Sequence, residues 1–132
     1  MKRRKKLTPA EWEIMEAIWK LNGSPSVRMV WETVAPKKEK AYTTVQTVMN
    51  TLEKKGVLTR AKIGLVNFYK PVQSRDEVVR QEISGVALRI FDGSMPALAN
   101  YLIRSQDLDL EEIEKIKVML DQKEKKLRSP KP

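Results

Sequence analysis

AYTTVQTVMNTLEKKG, residues 41–56, is the stretch on which the fold turns. At 3.6 residues per turn Val45, Val48, Met49 and Leu52 fall on one side, the stripe of a helix packed on a core, and Gly56 supplies its C-terminal stop. Thr43 and Gln46 stand at the spacing of a capping box. The opposite side holds Thr44, Gln46, Thr47, Asn50, Thr51 and Lys54. Thr and Asn are mediocre helix formers, because they lose rotamer freedom or compete for backbone hydrogen bonds, so displaying them calls for a use.

Working outward toward the N-terminus, Thr8 and Glu11 form a second capping box with Pro9 at the first helical position, predicting a helix to Leu21 stopped by Asn22-Gly23. It carries one stripe of Ile14, Ala17, Ile18 and Leu21 and another of Trp12, Met15 and Trp19, so it is expected to be buried on two sides. Ser26 caps a shorter helix with Val27, Val30, Trp31 and Val34 inward, ended by Pro36 and the charged linker KKEK. Trp12, Trp19 and Trp31 recur at helical spacing among aliphatics and read as core, since a stacking platform would need aromatics on a basic face.

Toward the C-terminus the period changes. VLTRAKI (57–63) and VNFYKPV (66–72) are β-branched and aromatic runs parted by Gly64-Leu65, the pattern of a β-hairpin. Three helices and a hairpin make a winged helix-turn-helix spanning residues 7–73, so the fold class is mainly α with a small β-hairpin wing. From Ser74 the pattern is helical again. Ser74 with Glu77 starts a long helix ending at Asp92-Gly93, Ser94 a short one, and Asp109 with Glu112 a last one. Three striped helices after a complete domain have little core of their own, so residues 74–127 are expected to bury Val79, Ile83, Ile90, Leu98, Tyr101, Leu102, Ile113, Ile116 and Leu120 against a second copy of the chain, as a homodimer. The tail after Lys123, KEKKLRSPKP, is expected to fray, with 128–132 disordered.

Charge divides the same way. Residues 1–73 hold 15 Lys+Arg against 6 Asp+Glu, a balance of +9, whereas residues 74–132 hold 11 of each. A polyanion partner for the first part and a neutral packing role for the second follow. The N-terminal arm, residues 1–6, carries the run KRRKK, which supports affinity for any polyanion and gives no sequence choice. With no Cys and no His, disulfides, thiolate chemistry and the commonest acid/base and metal-ligating side chain are missing. Glu111, Glu112 and Glu114 sit where a helix dipole favours acids, and no Gly-rich phosphate loop follows a strand. The chain therefore reads as no enzyme, with no cofactor, metal, small-molecule substrate or direct membrane binding. With no apolar run long enough to span a bilayer and no signal peptide, a soluble cytoplasmic protein is expected.

In helix-turn-helix proteins the second helix of the motif enters the major groove, where short hydrogen-bonding side chains reach base edges. Thr43, Thr44, Gln46, Thr47 and Asn50 are the candidate readers, with Tyr42, Lys54, Arg60 and Lys62 toward phosphates of double-stranded DNA. Two other readings stand beside this one. A winged helix can serve as a protein-interaction module, which the one-sided charge argues against, and a basic arm alone suits a non-specific nucleic-acid binder.

LTPAEWEIMEAIW (7–19), AYTTVQTVMNTLEKKGVLTR (41–60), FYKPV (68–72) and FDGSMPALANYL (91–102) resemble the penicillinase and methicillin-resistance repressors of the BlaI/MecI type, a family that includes the copper-responsive CopY repressors. The resemblance covers residues 7–122 and implies a transcriptional repressor acting as a homodimer on a palindromic operator. For the penicillin-responsive members it also implies a membrane sensor protease, activated by β-lactam, that leads to cleavage of an Asn-Phe bond. The matching pair here is Asn100-Tyr101, with Tyr in place of Phe. The C-terminal cysteines of copper-sensing members are absent.

Overall fold

A computed structural model describes residues 6–38, 40–105 and 107–129, so most of the basic run at 2–6 and the end of the tail at 130–132 lie outside the described residues. The chain divides into two compact units, Met1–Ser84 and Gly85–Pro132.

The first unit opens with α1, Pro9–Leu21. The Thr8 hydroxyl accepts from the Glu11 amide at 3.2 Å and the Glu11 carboxylate accepts from the Thr8 amide at 2.9 Å, the reciprocal pair that its spacing predicts. Asn22 and Gly23 end the helix with φ of 56° and 106°. In α2, Val27–Lys38, the Ser26 hydroxyl accepts from the Met29 amide at 3.3 Å. This helix runs two residues past Pro36, where the sequence predicted a stop. Proline withdraws one N–H, and so close to a helix end that loss affects only the final turn.

The third helix, α3, spans Tyr42–Lys54 with Ala41 as its cap and no side-chain cap bond, so the expected box of Thr43 and Gln46 does not form. Thr43 already lies inside the helix, whereas a capping residue must be extended. The approach to α3 is fixed by a non-local contact instead: the Trp31 indole N–H donates to the Lys40 carbonyl at 2.9 Å, and its ring meets Tyr42 edge-on at 6.0 Å. At the other end the Gly56 amide donates to the Glu53 carbonyl and the Val57 amide to the Leu52 carbonyl, with Gly56 at φ 81°. That double bond around a left-handed glycine is the Schellman stop.

Strands β1, Leu58–Ile63, and β2, Val66–Pro71, pair antiparallel from Leu58↔Pro71 to Ile63↔Val66. Gly64 has φ 64° and Leu65 no positive φ, the signature of a type II′ two-residue turn. The Tyr69 amide donates to the Pro25 carbonyl at 2.9 Å, and Ser26 bridges Phe68, so the segment before α2 extends the hairpin by a stub of strand. Ile14, Met15, Ile18, Val30, Val45, Met49, Leu52, Val57, Leu58 and Tyr69 fill the core between helices and hairpin. Trp19 and Trp31 lie half-buried against this core, whereas Trp12, also half-buried, has its ring 5.8 Å from that of Trp19.

Helix α4, Arg75–Phe91, starts in the first unit with Ser74 and Glu77 bonded reciprocally at 3.0 and 3.1 Å, and continues into the second. Within the second unit Asp92 and Gly93, at φ 51° and 81°, turn the chain into α5, Met95–Ser105, and Asp109 with Glu112 caps α6, Leu110–Arg128. The stretch KEKKLR belongs to α6 and does not fray as the sequence suggested. Basic residues suit the C-terminal end of a helix dipole, Arg128 pairs with Glu124 at 3.1 Å, and the Ser129 amide closes on the Lys125 carbonyl at 3.0 Å. No residue of α5 or α6 is buried.

Candidate nucleic-acid interface

Because Val45, Met49 and Leu52 turn α3 onto the core, the opposite face is displayed by necessity. Tyr42, Thr43, Thr44, Gln46 and Thr47 are exposed on its first two turns, and Lys54 is exposed at its end. Asn50 is placed differently. It is half-buried, and its Oδ1 accepts from the Tyr69 hydroxyl at 2.7 Å, tying α3 to β2.

Alternation along the hairpin sorts its side chains into two faces. Arg60 stands opposite Tyr69 and Lys62 opposite Asn67, so both share the face that carries Tyr69 toward α3. Both are exposed. Thr59 and Lys70 pair on the other face. The hairpin end is apolar, with Ile63, Leu65 and Val66 exposed.

The acids of the first unit are largely neutralised by their own cations. Glu11 meets Lys55 at 2.7 Å, Glu13 meets Lys40 at 3.2 Å, Glu16 meets Arg75 at 2.6 Å and Glu32 meets Arg28 at 3.2 Å. Among the described residues Lys54, Arg60, Lys62 and Lys70 have no such carboxylate partner, which leaves a positive field on α3's open side and the wing. Burial pushes the Glu11 carboxyl up, but the hydrogen bond from Lys55, the Thr8 amide, the Lys55 charge and the Thr8 hydroxyl together hold it below its ordinary value. Glu16 is held down by the hydrogen bond from Arg75, against a smaller effect of burial. The Lys55–Glu11 pair clamps the end of α3 to the start of α1. Sequence reading missed it and the Tyr69–Asn50 bond, since neither follows a local spacing.

In the first unit Val79 is half-buried and Ile83 exposed on α4. In the second, Leu98 and Ile116 are half-buried, and Ile90, Tyr101, Leu102, Ile113 and Leu120 are exposed. Asn100 and Tyr101 lie in the middle of α5, both exposed, with the Tyr101 ring 6.0 Å from Phe91. Among the described residues no cluster of acids is placed to hold a metal ion, and no helix is long and apolar enough to cross a membrane.

The profile of the penicillinase repressor family matches residues 7–122. The methicillin resistance regulatory protein MecI of Staphylococcus aureus is 24% identical over 117 residues, 89% of this chain and 94% of that protein. The transcriptional regulator BlaI of Mycobacterium tuberculosis is 34% identical over 74 residues, 56% of this chain and 54% of that one. Among solved structures, the DNA-binding domain of the repressor BlaI matches with a TM-score of 0.51 and 31% identity, over 58% of this chain and 93% of that domain.

Proposed function

Since the chain belongs to the penicillinase repressor family, we propose that it is a sequence-specific DNA-binding repressor that acts as a homodimer on a palindromic operator. One observation carries this reading: Thr43, Thr44, Gln46 and Thr47 project from the open face of α3 beside Lys54, Arg60 and Lys62, which have no carboxylate partner among the described residues. Gln46 suits adenine, to which it can offer a donor and an acceptor at once, and the threonine methyls suit thymine. Lys54, Arg60, Lys62 and Tyr42 set the register on phosphates.

A single winged helix makes few base contacts, so a second copy is needed for useful specificity. The apolar side chains left open on α5 and α6 support pairing through these helices. A twofold dimer places recognition helices about one DNA turn apart, ~10 base pairs between half-site centres or a multiple of that. Occupancy of the operator then depends on the dimer. In this reading the inducing signal is β-lactam, relayed by a membrane sensor protease, with cleavage at Asn100-Tyr101 separating α6 from the DNA-binding unit. Exposure of both residues supports access, although α5 must open locally to enter a protease.

Gel shifts on duplexes selected from a randomised pool, run with scrambled controls at rising salt, test the reading. Sequence preference should persist where phosphate-only binding is lost. Gln46→Ala should cost about 1–3 kcal/mol at particular base positions, whereas Lys62→Ala should weaken all duplexes alike and reduce the salt slope by about one. Equal, uniform losses from both variants would refute the division of labour.

A further inference from the structure

We propose that the tip of the wing is an apolar wedge: Leu65, flanked by Ile63 and Val66, enters the minor groove next to the base pairs met by α3. This rests on the DNA-binding reading above. Leu65 is 94% exposed, Ile63 68% and Val66 46%. Exposed hairpin ends ordinarily carry Asn, Asp or Gly, and charges that discourage pairing, so three large apolar side chains there need a partner.

The hairpin's charge says which partner. From Lys54 to Arg75 the sequence contains no acid, while Arg60, Lys62 and Lys70 lie along the two strands. The fitting surface is narrow, lined by negative charge at its walls and apolar enough inside to receive a leucine. A minor groove is about 6 Å wide between phosphate rails, too tight for a helix and open to a hairpin tip, and apolar side chains can wedge between its base steps. An anionic lipid surface shares the charge but has no use for the hydroxyls and amides of α3. The wing's reach also fits. Tyr69, bonded to Asn50 on α3, is four residues from Leu65, about 13 Å along a strand, which approaches the ~17 Å half-turn between neighbouring groove centres once side chains are added.

The experiment uses the full chain and a duplex it selects from a randomised pool, with 2-aminopurine placed singly around the positions sensitive to Gln46→Ala. The wild-type protein should raise the fluorescence at a step about half a turn from those positions, where a base is unstacked. Leu65→Ser should abolish the rise and weaken binding about tenfold. Leu65→Met should keep both. Leu65→Lys adds a phosphate-seeking charge and should not restore the fluorescence. Leu65 takes no part in the core, so circular dichroism of the variants should match the wild type. Unchanged affinity and fluorescence in Leu65→Ser would overturn the wedge, as would a Leu65→Lys variant that behaves like wild type. So would a Leu65→Ser variant that keeps its DNA binding but no longer adsorbs to phosphatidylglycerol vesicles. Failure of the wild type to select any sequence would instead sink the repressor reading itself.

Discussion

Helices α1 and α6 begin with the same device, a capping box closed in both directions by Thr8 and Glu11 in one and by Asp109 and Glu112 in the other. Both carry apolar residues at helical spacing. Yet α1 buries Ile14, Met15 and Ile18 completely, whereas Leu120 on α6 is 63% exposed and Leu127 73%. Local signals specify a helix, but what the stripe meets depends on the rest of the unit. In the first unit α2, α3 and the hairpin supply that surface. The second unit has too few elements to do so, and its nearly even charge balance, 9 Lys+Arg against 8 Asp+Glu, leaves little electrostatic resistance to self-association.

The largest expected effect tests that contrast directly. Replacing Ile113 and Leu120 together by Asp puts charge on the open stripe of α6 without touching the first unit's core. Sedimentation should show a monomer, and affinity for a two-half-site duplex should fall about 10²- to 10⁴-fold through loss of avidity. Thermal unfolding of the first unit should be unaffected. A variant that still sediments as a dimer would locate self-association elsewhere and erase the distinction between a self-sufficient unit and a dependent one.

Much of this was legible because it is local. The Thr8, Ser74 and Asp109 caps, the Gly56 stop and the Gly64-Leu65 turn are set by residues within a few positions of each other, and each forms where its spacing predicts. The exception is also instructive. Thr43 and Gln46 have the right spacing, but Trp31, far back on α2, fixes the chain before α3 so that the helix starts two residues earlier. The exposed polar face of α3 follows from periodicity alone. The contacts that hold that face in place, Lys55 to Glu11 and Tyr69 to Asn50, join residues 44 and 19 positions apart and have no periodic trace.

The next effect sharpens the contrast from the side of the first unit. Glu11 is 5% exposed and would be left without its cation by Lys55→Met. Removing one partner of a buried pair costs about 3–5 kcal/mol, and because Lys55 is partly exposed a loss of about 2–3 kcal/mol is expected in denaturant unfolding near neutral pH. The carboxyl is held below its ordinary value of about 4.5, so its stabilisation is present above that value and disappears as pH falls through the lower folded one. The gap between wild type and Lys55→Met should therefore close in acid. A gap that stayed constant with pH would mean that lost packing of the lysine stem, not charge, was responsible.

The smallest effect concerns the joint between α3 and the wing. Tyr69→Phe removes only the hydroxyl that donates to Asn50, a change worth about 0.5–1.5 kcal/mol in stability. Its value lies in separating two jobs that Asn50 can hold. If Asn50 braces the wing, Tyr69→Phe and Asn50→Ala should weaken DNA binding similarly, without a change in base preference. The double variant should then lose little more than either single one. If Asn50 reads a base with its free amide hydrogens, only Asn50→Ala should relax preference at one position, and Tyr69→Phe should leave preference intact. The half-burial of Asn50 and its 2.7 Å bond favour the brace, because an Oδ1 already accepting from Tyr69 is poorly placed to pair with adenine through both of its atoms. A positional change in preference confined to Asn50→Ala would show that the bond to Tyr69 orients a reader.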